Sequence, residues 1–177
     1  MSDIVKKILL QSLAIVLISY IIISCDEGST PTSTKTPGLG IKLVSIQVPF
    51  EKLGFIFEAP FTFNRQVHVN GFLPDLPMGL ELIGKADNLS QVSFMGGMPT
   101  KLALNTSLIH MSLLCEIVLP DWNDSKVWLL ENMRKLTKAI KMKKTPEESI
   151  VINNRKVSLS MLDTAAGIVI FFTIQAS

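Results

Sequence analysis

Two histidines and two cysteines are the side chains with the widest chemical reach in this 177-residue chain. His68 stands between Val67 and Val69 in an alternating run, so its side chain belongs on the face opposite theirs. His110 lies inside a long apolar run, away from that run's polar stripe. Either could act as a general base or a metal ligand, yet neither has a Cys, His or acidic cluster close by in sequence. The expectation is a surface His68 and a core His110 hydrogen-bonded to a carbonyl or hydroxyl. Cys115 is surrounded by Leu113, Leu114, Ile117 and Val118. A reactive thiolate needs an electropositive, partly exposed setting, so Cys115 reads as a buried, inert thiol. On a helix, His110 and Cys115 are separated by about 140° and cannot pair without a third element.

The remaining chemistry is sparse. Carboxylates are scattered; Glu58, Glu81 and Asp87 lie on or near strands and could converge, but no spacing pairs them as glycosidase acids are paired. No Gly-x-Ser-x-Gly elbow occurs, and neither Gly38-Leu-Gly40 nor Gly96-Gly97 is followed by the Gly-Lys-Ser/Thr of a phosphate loop. Two cysteines and two histidines at these distances form neither a zinc pattern nor a disulfide framework. No metal and no cofactor is expected. Trp122 and Trp128 flank the start of a helical segment and read as a cap over the core where two helices meet. The formal net charge is +2, and without Asp3, Lys6 and Lys7 it is close to neutral. Nucleic-acid binders carry a strongly basic footprint, so no nucleic acid is expected as partner.

Cys25 has a better use than a disulfide. Lys6 and Lys7 precede the apolar run 8–23, the order of a signal peptide. A spanning helix typically takes about 20 apolar residues, and this run is shorter. It ends in Ile22-Ile23-Ser24-Cys25, which resembles the lipobox of bacterial lipoproteins, with Ile22 where Leu is usual. The resemblance implies a diacylglyceryl thioether on Cys25 and cleavage after Ser24; the alternative is an uncleaved signal anchor in which Cys25 is incidental. Residues 26–40 are rich in Ser, Thr, Pro and Gly and almost lack apolar side chains. Such a stretch cannot bury enough surface to offset its ordering entropy. The expected organisation is a signal peptide over 1–24, a lipidated Cys and flexible linker over 25–40, and one domain over 41–177.

The elements that would hold these residues follow from pattern. Residues 43–54 read as a helix ended by Gly54 at the C′ position, with Pro49 against it. Strands follow at 55–59, 61–63 and 67–70, with Asn64-Arg65 as a turn. Two prolines mark 71–77 as a loop. Residues 79–84 and 89–95 form a hairpin. From about Thr100 to Leu119 a helix carries one narrow polar stripe, Lys101, Asn105, Ser112 and Glu116; a helix apolar around the rest of its circumference is largely buried. Leu113, Leu114, Ile170 and Phe172 are expected in the core. A second, amphipathic helix over 125–141 sets Leu129, Met133, Leu136 and Ile140 on one face and Arg134, Lys138 and Lys141 on the other. Strands at 150–152 and 157–159 turn at Asn153-Asn154, and 168–174 is a continuously apolar, central strand. Helix, strands, two helices and strands in that order fit α+β architecture: an antiparallel sheet of about five to seven strands under a long buried helix and a second amphipathic one.

The runs Glu81-Leu-Ile-Gly84, Asp87-Asn-Leu, Pro120-Asp-Trp122, Trp128-Leu and Glu131-Asn-Met133 resemble those of a group of small exported bacterial proteins of unknown function, over roughly residues 45–175. That resemblance implies the fold and the exported setting, and no mechanism. The expectation is a non-enzymatic envelope lipoprotein on the extracytoplasmic side of the cell membrane. Its domain would bind a partner protein or an envelope component, with Arg134, Lys138 and Lys141 as the candidate contact to an anionic surface. The alternatives are an envelope hydrolase built on scattered carboxylates and His68, and a carrier of a small apolar ligand.

Overall fold

A computed structural model describes residues 38–97, 101–142, 146–165 and 167–177, all within one compact unit, Thr36–Ser177. The leader, Cys25 and most of the linker lie outside the described residues. Leu39, inside the stretch expected as linker, is fully buried; its N–H donates to Leu89 O and its residue neighbour Gly40 donates to Asn88 Oδ1.

Helix α1 spans Leu43–Lys52 and buries Ile46 and Phe50. It ends as its sequence predicts. Gly54 has φ +92°, a conformation that glycine enters without a Cβ penalty. Gly54 N–H donates to Glu51 O and Phe55 N–H to Phe50 O, the two bonds of a Schellman motif. The apolar contact that usually accompanies this motif is present too: the rings of Phe50 and Phe55 meet edge to face at 5.2 Å.

Eight antiparallel strands make one sheet. β1 (Ile56–Phe57) and β2 (Phe61–Phe63) both pair with β3 (Gln66–Leu73), as two pieces of one edge. β4 (Met78–Lys85) and β5 (Asn88–Gly97) continue the meander. β6 (Glu147–Ile152), β7 (Arg155–Thr164) and β8 (Gly167–Ala176) form a second meander, and β8 joins it to β5. The spatial order is β1/β2-β3-β4-β5-β8-β7-β6. The expected α+β class and antiparallel sheet hold, but the sheet has eight strands rather than about five to seven, because the first edge is broken into two short pieces, β1 and β2, and β6 and β7 extend the other. The strand pairing differs at residues 71–73, expected in a loop: they pair with Met78–Leu80, and both prolines sit in the turn beyond them. A pattern reading stops at the first Gly-Pro signal, whereas the sheet stops only where Pro74 can no longer donate.

Register explains which strand positions are apolar. On one face the rows Leu82–Val92–Ile174–Val157 and Leu80–Phe94–Phe172–Leu159 run straight across β4, β5, β8 and β7, every member buried. On the opposite face the row Asn70–Glu81–Ser93–Thr173–Ser158–Ser149 runs across six strands, every member polar. Successive strand residues point to opposite faces, so the same alternation writes both rows.

The apolar face takes the helices. Helix α2 (Lys101–Val118) packs on β5, with Ala103, Met111, Leu114, Cys115 and Val118 buried. Gly96 permits the approach, because a Cβ there would lie 2.5 Å from Ser107 Oγ. Leu113, expected fully in the core, is half-buried on the helix flank. Helix α3 (Ser125–Lys141) packs on β6, β7 and α2. It buries Leu129, Met133, Leu136 and Ile140, the face its sequence assigns to packing.

Arg155 joins these layers at the rim. It opens β7 on the apolar side, and its guanidinium donates to Val118 O, the last carbonyl of α2, and to Leu39 O at 2.5 Å. A helix C-terminus leaves carbonyls without intrahelical partners and favours a cation. One side chain thereby ties the end of α2, the incoming segment and the β6–β7 hairpin. That hairpin turns at Asn153-Asn154 with φ +50° and +58°, the positive values a two-residue turn requires.

Two substitutions test this packing. Leu114→Asp places a charge in the helix–sheet interface and is expected to cost about 4 kcal/mol or more; an unchanged thermal midpoint would show that α2 is not the buried cover. Arg155→Met keeps the aliphatic stem but leaves both carbonyls without their charged donor. With hydrogen bonds to charged groups worth roughly 1.5–3 kcal/mol each, urea unfolding is expected to show a loss of about 2–4 kcal/mol. A loss below about 0.5 kcal/mol, the scatter of ordinary surface changes, would mean the clamp is decorative.

Candidate functional site

The helical spacing of α3 leaves a solvent face opposite its buried one. Val127, Leu130, Arg134, Lys138 and Lys141 follow each other at steps of three or four residues and share that face. Arg134, Lys138 and Lys141, the cations expected there, are all exposed. The other two α3 lysines are committed elsewhere. Lys126 Nζ lies 2.8 Å from Glu116 Oε1 on α2, and Lys135 Nζ lies 2.6 Å from Glu148 Oε1 on β6. No ion pair among the described residues involves Arg134, Lys138 or Lys141. Glu131 is the acidic residue of the exposed stripe. Beside its N-terminal end the half-buried Trp122 and Trp128 have ring centroids 5.6 Å apart, packed against the core as expected of a cap.

A second cluster lies on the polar face of the sheet. The Asn64-Arg65 turn, with φ +47° and +64°, sets Phe61 directly opposite His68. Phe61 stacks on the imidazole at 5.3 Å and Phe63 meets its edge at 5.9 Å. His68 Nδ1 lies 3.0 Å from Glu81 Oε1 on β4. The sequence predicts a surface histidine; here it is 2% exposed. Strand alternation alone assigns the face, while burial on that face depends on what stands on neighbouring strands. A carboxylate on Nδ1 holds an imidazole in one tautomer and orientation, which is half of an acid–base arrangement. The nearest hydroxyl by register from Glu81, that of Ser93, is taken up by Gln91 Nε2 at 2.9 Å and Thr173 Oγ1 at 3.3 Å. The other two carboxylates do not join the pair: Glu58 lies exposed between β1 and β2, and Asp87 at the β4–β5 turn.

The remaining candidates sit in the apolar layer. His110 is buried among Phe50, Phe55 and Phe94, at ring distances of 5.7, 5.1 and 5.7 Å. Burial lowers its pKa below the usual 6.5. The expected hydrogen bond to a carbonyl or hydroxyl is not formed by Nδ1, which has no partner among the described residues. Cys115 is a buried free thiol, pushed up to about 12 by desolvation and then by the charge of Glu116. A thiolate is the nucleophilic form, so this sulfur is unreactive at neutral pH. Among the described residues no group of three or more His, Cys, Asp or Glu side chains is placed to hold a metal ion, and no helix is long and apolar enough to cross a membrane.

Helical spacing places Arg134, Lys138 and Lys141 on an exposed face, as the structure does, while two further features go beyond that expectation. The exposure of Val127 and Leu130 was legible, since both fall on the cationic side of the wheel. The His68–Glu81 contact was not, because it depends on the β3–β4 register, which the turn at 74–77 sets. No family model, curated protein or solved structure matches the chain.

His110 supplies a pH test. Its pKa is depressed in the folded state, so below about pH 6.5 the unfolded chain binds a proton that the folded chain refuses. Stability contributed by the neutral imidazole is therefore present above that pH and lost as pH falls. His110→Leu removes the buried polar atom with little change in volume. Its thermal midpoint is expected to fall less than the wild type's between pH 7.5 and pH 5. Parallel curves for the two proteins would show that His110 does not carry the effect.

Proposed function

We propose that the chain is a lipoprotein of the bacterial envelope, anchored to the extracytoplasmic side of the cell membrane through an acylated Cys25, and that its domain binds a partner rather than catalysing a reaction. The binding face is α3, and its partner is an anionic component of the envelope. The observation that carries this reading is the division of the α3 cations. Lys126 and Lys135 are used in ion pairs with neighbouring elements, while Arg134, Lys138 and Lys141 project from one exposed stripe with no carboxylate partner among the described residues. A purely solvated face would suffice to keep the domain soluble. A tethered domain, however, meets an anionic surface at high effective concentration, where each Lys or Arg contributes about 1 kcal/mol.

A second reading is favoured by one observation, the 3.0 Å contact of His68 with Glu81. In that reading the pair serves an envelope hydrolase. Turnover of isolated envelope material by the purified protein, abolished by His68→Gln with the fold intact, would establish it over the binding role.

Anchoring has its own test. In bacterial cells fed a palmitate analogue, the wild-type chain is expected to incorporate label and Cys25→Ala to incorporate none and to accumulate at precursor size. Equal labelling of the two would end the lipoprotein reading.

A further inference from the structure

The α3 stripe is not cationic throughout. Val127 and Leu130 are 55% and 43% exposed at its N-terminal end, and Met142 is 62% exposed where the helix stops. The helix buries four other apolar side chains in the core, so these three are left over from packing. From Val127 to Lys141 the stripe runs about 21 Å at 1.5 Å per residue, with the aliphatic side chains at one end and Arg134, Lys138 and Lys141 along the rest. Trp122 and Trp128 stand beside the aliphatic end, half-buried.

Resting on the anchored reading above, we propose that the solvent face of α3 docks on the surface of an anionic lipid bilayer. Arg134, Lys138 and Lys141 engage headgroup phosphates, and Val127 and Leu130 enter the interfacial layer. Charge complementarity selects an anionic partner, and the aliphatic end selects among anionic partners. A soluble polyanion such as a wall polymer offers nothing to Val127 and Leu130. A bilayer offers phosphates and an apolar boundary at adjacent depths, the combination that basic amphipathic helices use when they lie in the interface. Tryptophan prefers the same depth. Glu131 lies in the stripe and opposes the contact, so its removal should strengthen docking.

The chain's two tryptophans both stand at this end of α3, which makes them a built-in probe. The full chain, purified from membranes, is reconstituted into vesicles of phosphatidylcholine alone or with phosphatidylglycerol, each with brominated acyl chains. Expected is a tryptophan quench with phosphatidylglycerol that is weak with phosphatidylcholine and reversed by high salt. The triple variant Arg134→Gln, Lys138→Gln and Lys141→Gln should weaken docking on the order of a hundredfold. Val127→Ser with Leu130→Ser, both at exposed positions that leave the fold intact, should lose most of the quench, and Glu131→Gln should raise it. A quench equal in the two lipids overturns the proposal. So does a quench indifferent to Val127→Ser with Leu130→Ser, or a matching tryptophan change on adding soluble polyphosphate, either of which leaves only an anion contact. Acylation of Cys25 is scored separately by mass spectrometry. The tryptophans report on the domain whether the acyl group or the apolar leader holds the chain in the vesicle, so failed anchoring and failed docking are distinguishable.

Discussion

The apolar rows of the sheet must be covered, and most of the molecule follows from that requirement. Leu80, Phe94, Phe172 and Leu159 stand in register across four strands, with Leu82, Val92, Ile174 and Val157 beside them. At about 25 cal/mol per Å² of apolar surface, two such rows left to water would cost more than a domain's whole net stability. Both helices that follow β5 therefore lie on this face, and α2 is apolar nearly all round because it sits between the sheet and its neighbours. Gly96 brings it close. Arg155 finishes the edge where α2 ends and the chain enters.

Covering one face decides what every other surface can do. α3 has to spend Leu129, Met133, Leu136 and Ile140 on the sheet side, which fixes the direction of its remaining side chains to within one helical turn. The cations and spare aliphatic groups are consequently held as a rigid stripe. On the far side of the sheet the same alternation leaves a polar row, and Glu81 in that row meets His68. Glu148 shows the limit of the rule. It occupies an inward position on the outermost strand, β6, and is tolerated because Lys135 of α3 reaches it. An inward-pointing charge on an edge strand also discourages pairing with another chain.

How much of this is legible in the sequence depends on the range of the interaction. Local signals read well: Gly54 ends α1 in the motif its spacing predicts, Asn153, Asn154 and Asn64 take the positive φ values that asparagine tolerates, and the 3.6-residue period assigns both faces of α3. Errors enter where a residue's setting is decided by a partner far along the chain. His68 is buried, and its companion Glu81 is set by register. Leu39 looks like linker by composition, yet Leu89 and Arg155 hold it from 50 and 116 residues away by number. His110 lies in the core as its helical position implies, but the three phenylalanines that surround it come from α1, the segment after it and β5.

Native-state hydrogen exchange followed by mass spectrometry is the most direct test that burial on one sheet face holds the domain together. Amides of α2 and of β5, the strand it packs on, are expected to exchange slowest and at one common opening free energy, because α2 cannot leave without exposing the apolar side of β5. The exposed turns at 64–65 and 153–154 should exchange far sooner. Fast exchange of α2, with β5 still protected, would contradict the account, since the sheet would then be stable without its cover.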